Sequence, residues 1–181
     1  MALIVAPLNP TIRNQISVDV VNTATRRRMM AGIRSTNTGP EVCVRKSLHG
    51  FGFRFAHGHS ELPGRPDLVL PRWRVAVFVN GCFWHLHGCT LSTIPSSNSA
   101  FWSVKLSANA TRDKHNIQAL INSGWRVLTV WECALRGSVA KSHFDKRMTE
   151  VATWIREKKK MICCELSRSE ICYRKGVDES N

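Results

Sequence analysis

The sequence predicts an α/β protein built on a mixed β-sheet. Two short apolar runs, at residues 67–71 and 74–79, are bounded by turn-forming residues, as buried strands are. Helical periodicity characterises residues 101–123 and 141–160, and an alternating strand pattern at 125–131 separates them. Because the first two strands lie too close in sequence for a parallel crossover, the sheet must mix antiparallel and parallel pairs.

Upstream of these strands, the sequence predicts two helices and a further strand. Residues 24–35 are typical of a basic helix. The next helix begins at Thr38 and Glu41, which have the spacing of a capping box, and it stops near Gly50. Residues 53–57 alternate, which predicts a strand.

The two downstream helices each have an apolar side that should pack inward, and Gly124 ends the first of them. The residues on these sides are Val104, Ala108, Ile117, Leu120 and Ile121 in the first helix, and Phe144, Met148, Val151, Trp154 and Ile155 in the second. Residues 1–22 show no such period and predict a flexible arm. We expect residues 23–160 to form a single domain and residues 161–181 to be a partly disordered tail.

Length and charge narrow the class of protein. A chain of 181 residues suits one well-buried domain, and a net charge of +13 favours a polyanionic partner, most simply nucleic acid. A ribosomal protein, or a protein whose positive charge comes from basic tails, would carry a similar net charge. Six Trp and seven Phe argue against a chain that is only a charged tail. The chain shows no secretory signal and no apolar run near the ~20 residues that span a bilayer. Seven Cys cannot all pair, which favours a reduced, cytosolic protein with a metal site.

A cluster of soft metal ligands follows the second central strand. Cys82, His87 and Cys89 lie in one loop, and Cys133 at the end of the last strand can complete a set of four. Zinc prefers four such ligands in a tetrahedron, and a site with no open position would be structural. In the alternative interpretation, Cys133 is a buried strand cysteine and the loop cysteines are free thiols. The remaining cysteines stand apart and receive no role: Cys43, Cys163, Cys164 and Cys172.

Asp67 opens the first central strand, directly after a Pro-Gly-Arg-Pro turn. An acid at a sheet edge is a common way to hold Mg²⁺ against a phosphate, so Asp67 is the candidate for nuclease chemistry. The structural alternative is a turn aspartate that caps its own loop. His85 lies among the thiols and could be a metal ligand, a core histidine or a general base. Because His87 lies closer to Cys89, His85 is free to act as the base.

Two further acids have simple structural explanations. Glu41 completes the capping box of its helix. Asp113 lies on the long helix, where an exposed acid is usually solvated surface. From the residues alone, neither is assigned to catalysis.

Four aromatic residues surround this region. Phe83 and Trp84 lie between the candidate metal ligands, and Phe101 and Trp102 open the long helix. They could be core residues, but an aromatic pair in a glycine-bounded loop has little core to enter. Exposed aromatics beside a basic surface suit stacking on or between nucleobases.

Several of these segments together resemble the very-short-patch repair endonucleases, the Vsr family. The resemblance rests on GRPDLV, VFVNGCFWHLHGC, the pair FW and GWRVLTVWECALRG, with ATRRRMMAGIRSTNTGPE at the start, over about residues 22–137. It implies a restriction-endonuclease-like, three-layer sandwich with a central mixed β-sheet and a structural zinc site. It also implies Mg²⁺-dependent nicking of one DNA strand 5′ to the thymine of a T:G mismatch, which arises from deaminated 5-methylcytosine.

The resemblance also implies roles for individual residues. Asp67 matches the family's metal-binding catalytic aspartate, with the backbone carbonyl of Val79 as a further Mg²⁺ ligand, and His85 matches its catalytic histidine. Glu41 and Asp113 match acids that support the metal waters and the base. The other matches are the zinc ligands Cys82, His87, Cys89 and Cys133, the aromatic wedge Phe83, Trp84 and Trp102, and Met30, which enters from the opposite groove.

One position departs from the family pattern. Asn80 stands where many members have histidine, and an amide can hydrogen-bond a phosphate or a metal-bound water but cannot carry a titrating proton. This substitution puts any acid role at position 80 in doubt and predicts lower turnover.

The resemblance implies a monomer that acts in the bacterial cytoplasm on double-stranded DNA with a T:G mismatch. It implies catalytic Mg²⁺, structural Zn²⁺ and a functional link to a DNA cytosine-5 methyltransferase. We expect Arg27 and Arg28 to bind DNA phosphates, and we expect no membrane partner. Two alternatives stay open: a restriction-like nuclease of other specificity, and a zinc-stabilised DNA-binding protein with weakened catalysis, which only Asn80 favours.

Overall fold

The computed structural model describes residues 24–25, 27–28, 36–56, 61–136, 140–157, 161–168 and 170–175. The main elements in chain order are α1 (Gly39–Gly50), β1 (Leu68–Leu70), β2 (Val75–Asn80), α2 (Ser99–Asn122), β3 (Arg126–Trp131), α3 (Ala140–Glu157), β4 (Met161–Leu166) and β5 (Ile171–Lys175). Across these ranges, no helix is both long enough and apolar enough to cross a membrane.

The five strands form one sheet in the order β1-β2-β3-β4-β5. The two outer pairs, β1–β2 and β4–β5, are antiparallel, and the two inner pairs, β2–β3 and β3–β4, are parallel. A short 3₁₀ turn at Pro71–Trp73 joins β1 to β2, whereas α2 and α3 provide the longer crossovers that parallel pairs require. The prediction of a mixed sheet is therefore confirmed.

Helices cover both faces of the sheet, so the three predicted layers are also confirmed. On one face, α1 and α3 bury a large core against the strands, and Val44 and Leu48 of α1 are fully buried in it. On the other face, α2 contributes Leu120 to a smaller core with Ala76 and Val127. All five residues predicted for the inner side of α3 are buried: Phe144, Met148, Val151, Trp154 and Ile155.

The predicted apolar side of α2 is correct only in its C-terminal half. Leu120 is buried, but Val104 is 73% exposed and Ala108 is also exposed, whereas Leu106 is fully buried. The inner face of the N-terminal half meets the loop after β2 and not the apolar sheet, so apolar periodicity does not identify it. As predicted, the helix ends before Gly124, whose φ of +78° is in the left-handed region and whose N–H donates to Ile121 O at 2.8 Å.

The predicted strand at 53–57 is wrong for its described residues. Only Ala56 makes a bridge, to Val69, and residue 57 lies outside the described ranges. Phe53 is buried and packs edge-on against Trp73, with ring centroids 5.7 Å apart. The alternation of side chains therefore reflects packing of an extended segment, which does not join the sheet as a paired strand.

The predicted tail from residue 161 is wrong for its described part. β4 and β5 form the far edge of the sheet, and Cys164 and Leu166 are fully buried. Parallel pairing of β4 with β3 supplies contacts that are not local in sequence, so the domain continues past residue 160. The predicted arm at 1–22 lies outside the described residues, and the described residues of the predicted helix at 24–35 are helical.

Candidate active site and metal centre

The candidate residues meet at one edge of the sheet. Because β1 runs antiparallel to β2, the start of β1 lies beside the end of β2, and Asp67 thereby faces Val79. A cleft of about 380 Å³ opens there, bordered by the N-terminus of α1 and the middle of α2. The predicted site residues that line it are Glu41, Asp67, Val79, Asn80, Trp84, His85 and Asp113.

Asp67 is a partly buried carboxylate. Burial raises its pKa from the ordinary value of 3.8 to about 6, the Val79 N–H opposes this shift by donating to Oδ2 at 2.7 Å, and the Glu41 carboxylate adds to it. Two carboxylates side by side in a cleft suit a hard divalent cation with oxygen ligands. The donor set therefore fits Mg²⁺.

Glu41 serves its helix and faces the cleft at once. The Thr38 hydroxyl accepts from the Glu41 N–H at 3.4 Å and donates to Glu41 Oε1 at 2.8 Å, so the predicted capping interaction is present. Glu41 Oε2 accepts from the Asn37 N–H at 2.8 Å, and the Arg45 guanidinium lies 3.8 Å away. With only 8% of its surface exposed, Glu41 is held in one orientation beside Asp67.

His85 and Asp113 form a close pair. Nδ1 of His85 lies 2.6 Å from Oδ2 of Asp113, and both side chains are more than a quarter exposed. Because a carboxylate only accepts hydrogen bonds, Nδ1 carries the proton, and Nε2 is left as the basic nitrogen. Asp113 is therefore a cleft residue and not the solvated surface acid that its position alone suggested.

The inner face of α2 supplies three polar residues to this region. Asn109 donates to Trp84 O at 3.1 Å, Asp113 holds His85, and Asn116 packs against the turn before β1. Their spacing of four and three residues places them on one helix face. Polar residues at inward positions of a helix can indicate a functional site, and this pattern is visible in the sequence. Asp113 is the only one of these three residues that is predicted from the sequence, and four residues of the cleft region are not predicted: Arg65, Asn109, Asn116 and Glu132.

The four predicted soft ligands converge beside the cleft. The donor atoms of Cys82, His87, Cys89 and Cys133 all lie within 4.8 Å of one another, and Cys133 Sγ is 3.6 Å from His87 Nδ1. In a tetrahedral zinc site with bonds of ~2.0–2.3 Å, ligand atoms lie roughly 3.3–3.8 Å apart. Burial lowers the pKa of His87, which favours the neutral imidazole that binds metals. A Cys₃His cluster of this size can hold a metal ion.

The sheet register brings the two halves of this cluster together. Asn80 pairs with Trp131 in the β2–β3 ladder, and Cys82 and Cys133 follow at the same separation of 51 residues. The Cys133 N–H donates to Cys82 Sγ at 3.4 Å. The His87 ring stacks on Trp131 with centroids 4.2 Å apart and planes 20° apart. The strand ends therefore position this loop.

The loop aromatics and the start of α2 form one half-buried cluster. The centroid of Phe83 lies 5.0 Å from that of Trp84 and 5.3 Å from that of Trp102, and the two Trp centroids are 6.0 Å apart. Phe101 contacts Trp102 and is 59% exposed. Lys105 Nζ lies 5.5–5.7 Å from the centroids of Trp84, Phe101 and Trp102. The cluster thus presents aromatic and cationic surface beside the cleft.

The other predicted DNA-binding residues are Arg27, Arg28 and Met30. Arg27 and Arg28 are exposed and helical. Met30 lies outside the described residues.

Comparison with known proteins gives a consistent result. The family model of the DNA mismatch endonuclease Vsr matches residues 18–91. The type II nicking enzyme V.XorIIP of Xanthomonas oryzae pv. oryzae is 48% identical over 110 residues, which cover 61% of this chain and 81% of that protein. The DNA mismatch endonuclease Vsr of Escherichia coli K12 is 41% identical over 138 residues, covering 76% and 87%. The type II nicking enzyme V.NmeAIP of Neisseria meningitidis is 37% identical over 134 residues, covering 74% and 96%.

Proposed function

The chain belongs to the DNA mismatch endonuclease Vsr family, and on that premise we propose that it nicks one DNA strand 5′ to the thymine of a T:G mismatch. Membership in this family makes it a DNA endonuclease, a hydrolase. The observation that carries the proposed specificity and chemistry is one cleft with Asp67 and the His85–Asp113 pair, beside a half-buried aromatic cluster.

The acids of the cleft are suited to a catalytic Mg²⁺. Asp67 and the backbone carbonyl of Val79 would hold the ion, and Glu41 would hold its waters. Bound there, Mg²⁺ supplies Lewis-acid stabilisation of the charge that develops on the phosphate. Asn80 lines the same cleft and would donate a hydrogen bond to a phosphate oxygen.

His85 would act as the general base. Its Nε2 takes a proton from the attacking water, and the Asp113 carboxylate at Nδ1 orients the ring and stabilises the imidazolium that forms. A positioned base of this kind is worth ~10²–10⁴-fold in rate.

The aromatic rings would recognise the mismatch. Phe83, Trp84 and Trp102 would enter the base stack at the mismatched step. A mismatched step costs less to open than a matched step, and this difference is itself a source of selectivity.

A structural Zn²⁺ would position both functions. Cys82 lies immediately before Phe83, Trp84 and His85, and His87 and Cys89 lie after them. An ion bound by these ligands and Cys133 would anchor the loop at both ends.

We also place the protein in the cytoplasm as a monomer, in a repair pathway linked to a DNA cytosine-5 methyltransferase. The high positive charge supports a DNA partner. A second candidate is a nuclease of different specificity within the same family, because two of the relatives reported above are named as type II nicking enzymes.

One assay separates these candidates. Duplexes that each carry one mismatch, and a matched control duplex, are incubated with the protein with and without Mg²⁺, and strand-specific nicks are mapped. We expect a nick at T:G only, on the thymine strand, and only with Mg²⁺. A nick at another mismatch or at a matched site would establish the second candidate. DNA binding without any nick would indicate loss of catalysis.

A further inference from the structure

The cleft is strongly acidic. Its described lining includes four carboxylates, those of Glu41, Asp67, Asp113 and Glu132, and Arg65 is the only Lys or Arg among these lining residues. A DNA phosphate that reaches Asp67 must enter this negative surface, which repels it. A bound divalent cation offsets part of this charge, and a fixed cationic side chain at the rim would offset more.

The backbone holds Arg65 at the rim. The Arg65 N–H donates to Leu62 O at 3.0 Å and closes a turn with Pro63 and Gly64 at its centre. The φ of Gly64 is +75°, as the third position of a type II turn requires. The φ of Arg65 is +51°, a left-handed conformation that residues with a Cβ rarely adopt. Such conformations persist where the surrounding structure enforces them, frequently at functional sites.

Two contacts fix this turn over the cleft. A Cβ on Gly64 would lie only 3.0 Å from Asn116 Cβ, so the turn is seated closely on α2. Two residues after Arg65, the Asp67 carboxylate is tied to the Val79 N–H. The position of the Arg65 backbone relative to Asp67 is therefore set from both sides.

The Arg65 side chain itself is uncommitted. It is exposed and makes no hydrogen bond, ion pair or ring contact with any of the described residues. The neighbouring Arg45 differs, since its Nη2 donates to Asn37 Oδ1 at 2.7 Å and lies 3.8 Å from Glu41. Arg45 supports the N-terminus of α1, whereas Arg65 is available to a ligand.

We propose that Arg65 binds the non-bridging oxygens of the phosphate that is cleaved, and is thus a substrate-binding residue of this nuclease. The planar guanidinium donates two parallel hydrogen bonds to such oxygens, which a lysine cannot do. It adds positive charge where negative charge develops during cleavage. This assignment rests on the proposed function, because it takes the cleft to be the site of phosphate cleavage.

The first test compares single-turnover nicking of a T:G duplex by four proteins. These are the wild type, Arg65→Ala, Arg65→Lys, and Arg72→Ala as a control. Arg72 is also exposed, but it follows the other end of β1. We expect Arg65→Ala to be slower by about 10- to 100-fold, Arg65→Lys to recover part of the rate, and Arg72→Ala to nick normally. Equal rates for Arg65→Ala and Arg72→Ala would overturn the assignment.

The second test needs no cleavage. Affinities are measured without added divalent metal, for a T:G duplex with the normal phosphate 5′ to the thymine and for one with a neutral methylphosphonate there. The neutral group relieves repulsion from the acidic cleft in all three proteins, but it removes the Arg65 contact only in the wild type and Arg72→Ala. The ratio of the affinity for the neutral duplex to that for the normal duplex should therefore be about 10-fold lower in these two proteins than in Arg65→Ala. An equal ratio for all three proteins would show that Arg65 does not contact this phosphate.

The two tests also separate this assignment from the proposed function. If the wild type fails to nick any mismatch but the affinity difference is observed, the proposed activity fails and phosphate binding by Arg65 stands. If the wild type nicks at T:G and Arg65→Ala behaves as the wild type in both tests, only the role of Arg65 fails.

Discussion

The cleft and the Cys/His cluster lie at the same edge of the sheet but are held in different ways. In the cleft, protein groups orient each catalytic candidate: the Val79 N–H binds Asp67, and Asp113 binds His85. In the cluster, four metal-binding atoms lie within 4.8 Å of one another, and backbone N–H groups donate to its three sulfurs: Cys133 to Cys82, Leu91 to Cys89 and Arg168 to Cys133. The fold orients the side chains of both regions, but the cluster consists of atoms that bind a metal ion, and a bound ion would link the loop after β2 to the end of β3. Substitutions should therefore affect activity in the first region and stability in the second.

The largest effect should follow Asp67→Asn. This change removes the central ligand of the proposed ion, so nicking should be abolished while mismatch binding, which rests on basic and aromatic groups, remains. Folding should not suffer, because the amide is not charged in its partly buried site. Gel-based nicking and binding assays check the first point. Wild-type nicking by this variant would refute the assignment of Asp67.

The pKa of Asp67 sharpens this prediction. In the metal-free protein it is raised to about 6, so the folded state holds the proton more tightly than the unfolded state, with its ordinary pKa of 3.8. The resulting stabilisation is present below about pH 4 and is lost as the pH rises to 6. Above pH 6 the wild type should be less stable than Asp67→Asn by on the order of 1–3 kcal/mol. Thermal unfolding of both proteins from pH 4 to 8 measures the difference, and parallel curves would contradict it.

The next effect concerns the cluster. Cys133→Ser should remove the metal and lower the free energy of unfolding by several kcal/mol, on the order of 10 °C in melting temperature. Cys172→Ser is the matched control, because Cys172 is partly buried in β5 and outside the cluster. Elemental analysis should find one zinc per wild-type chain. Purified wild type without zinc, or equal melting of the two variants, would refute the structural site.

A smaller loss of activity should follow Asp113→Asn. Without the carboxylate at Nδ1, His85 is no longer held in the tautomer that exposes a basic Nε2, and the nicking rate should fall about 100-fold. Asp145→Asn, at an exposed acid of α3, is the control and should nick normally. The pH profile of single-turnover nicking provides the readout. An unchanged rate and profile would exclude His85 as a base oriented by Asp113.

The smallest effect should distinguish residues that recognise the mismatch from residues that bind any DNA duplex. Trp84→Ala should cost ~1–3 kcal/mol of stacking, more on a T:G duplex than on a matched one. Replacing Arg27 and Arg28 should weaken both duplexes alike and flatten the salt dependence, because phosphate contacts carry no sequence information. Affinities at two salt concentrations for both duplexes measure this. An equal loss on both duplexes for Trp84→Ala would make Trp84 general surface.

Much of this edge of the sheet could be predicted from the sequence because its residues are chemically unusual. The thiols, the imidazoles and the acid at the start of a strand within residues 67–89 can be recognised as candidate site residues from their residue types alone. Arg65, Asn116 and Glu132 do not, since ordinary polar residues become cleft residues only through the packing of α2 and the turn. Asp113 can be distinguished from an ordinary surface acid only when Asn109 and Asn116 are recognised on the same face of α2.

The two wrong predictions about the fold have a related cause. The sequence predicts a tail in place of β4 and β5 because β4 pairs with β3, some 36 residues away in sequence, and β5 joins the sheet only through β4. The segment at 53–57 has the local pattern of a strand but only one bridge, at Ala56. Local periodicity predicts which side of a segment is apolar, and tertiary partners decide whether it becomes a strand.

The register that places Cys82 beside Cys133 also bears on how the chain folds. Pairing β2 with β3 brings together residues 51 positions apart, and closing such a loop costs about 4 kcal/mol of chain entropy before the strands gain their contacts. An ion that joins Cys82 to Cys133 closes the same loop in the same alignment. Metal capture early in folding would thus select the correct pairing of the central strands, and zinc-loaded chains should refold faster than chelated ones.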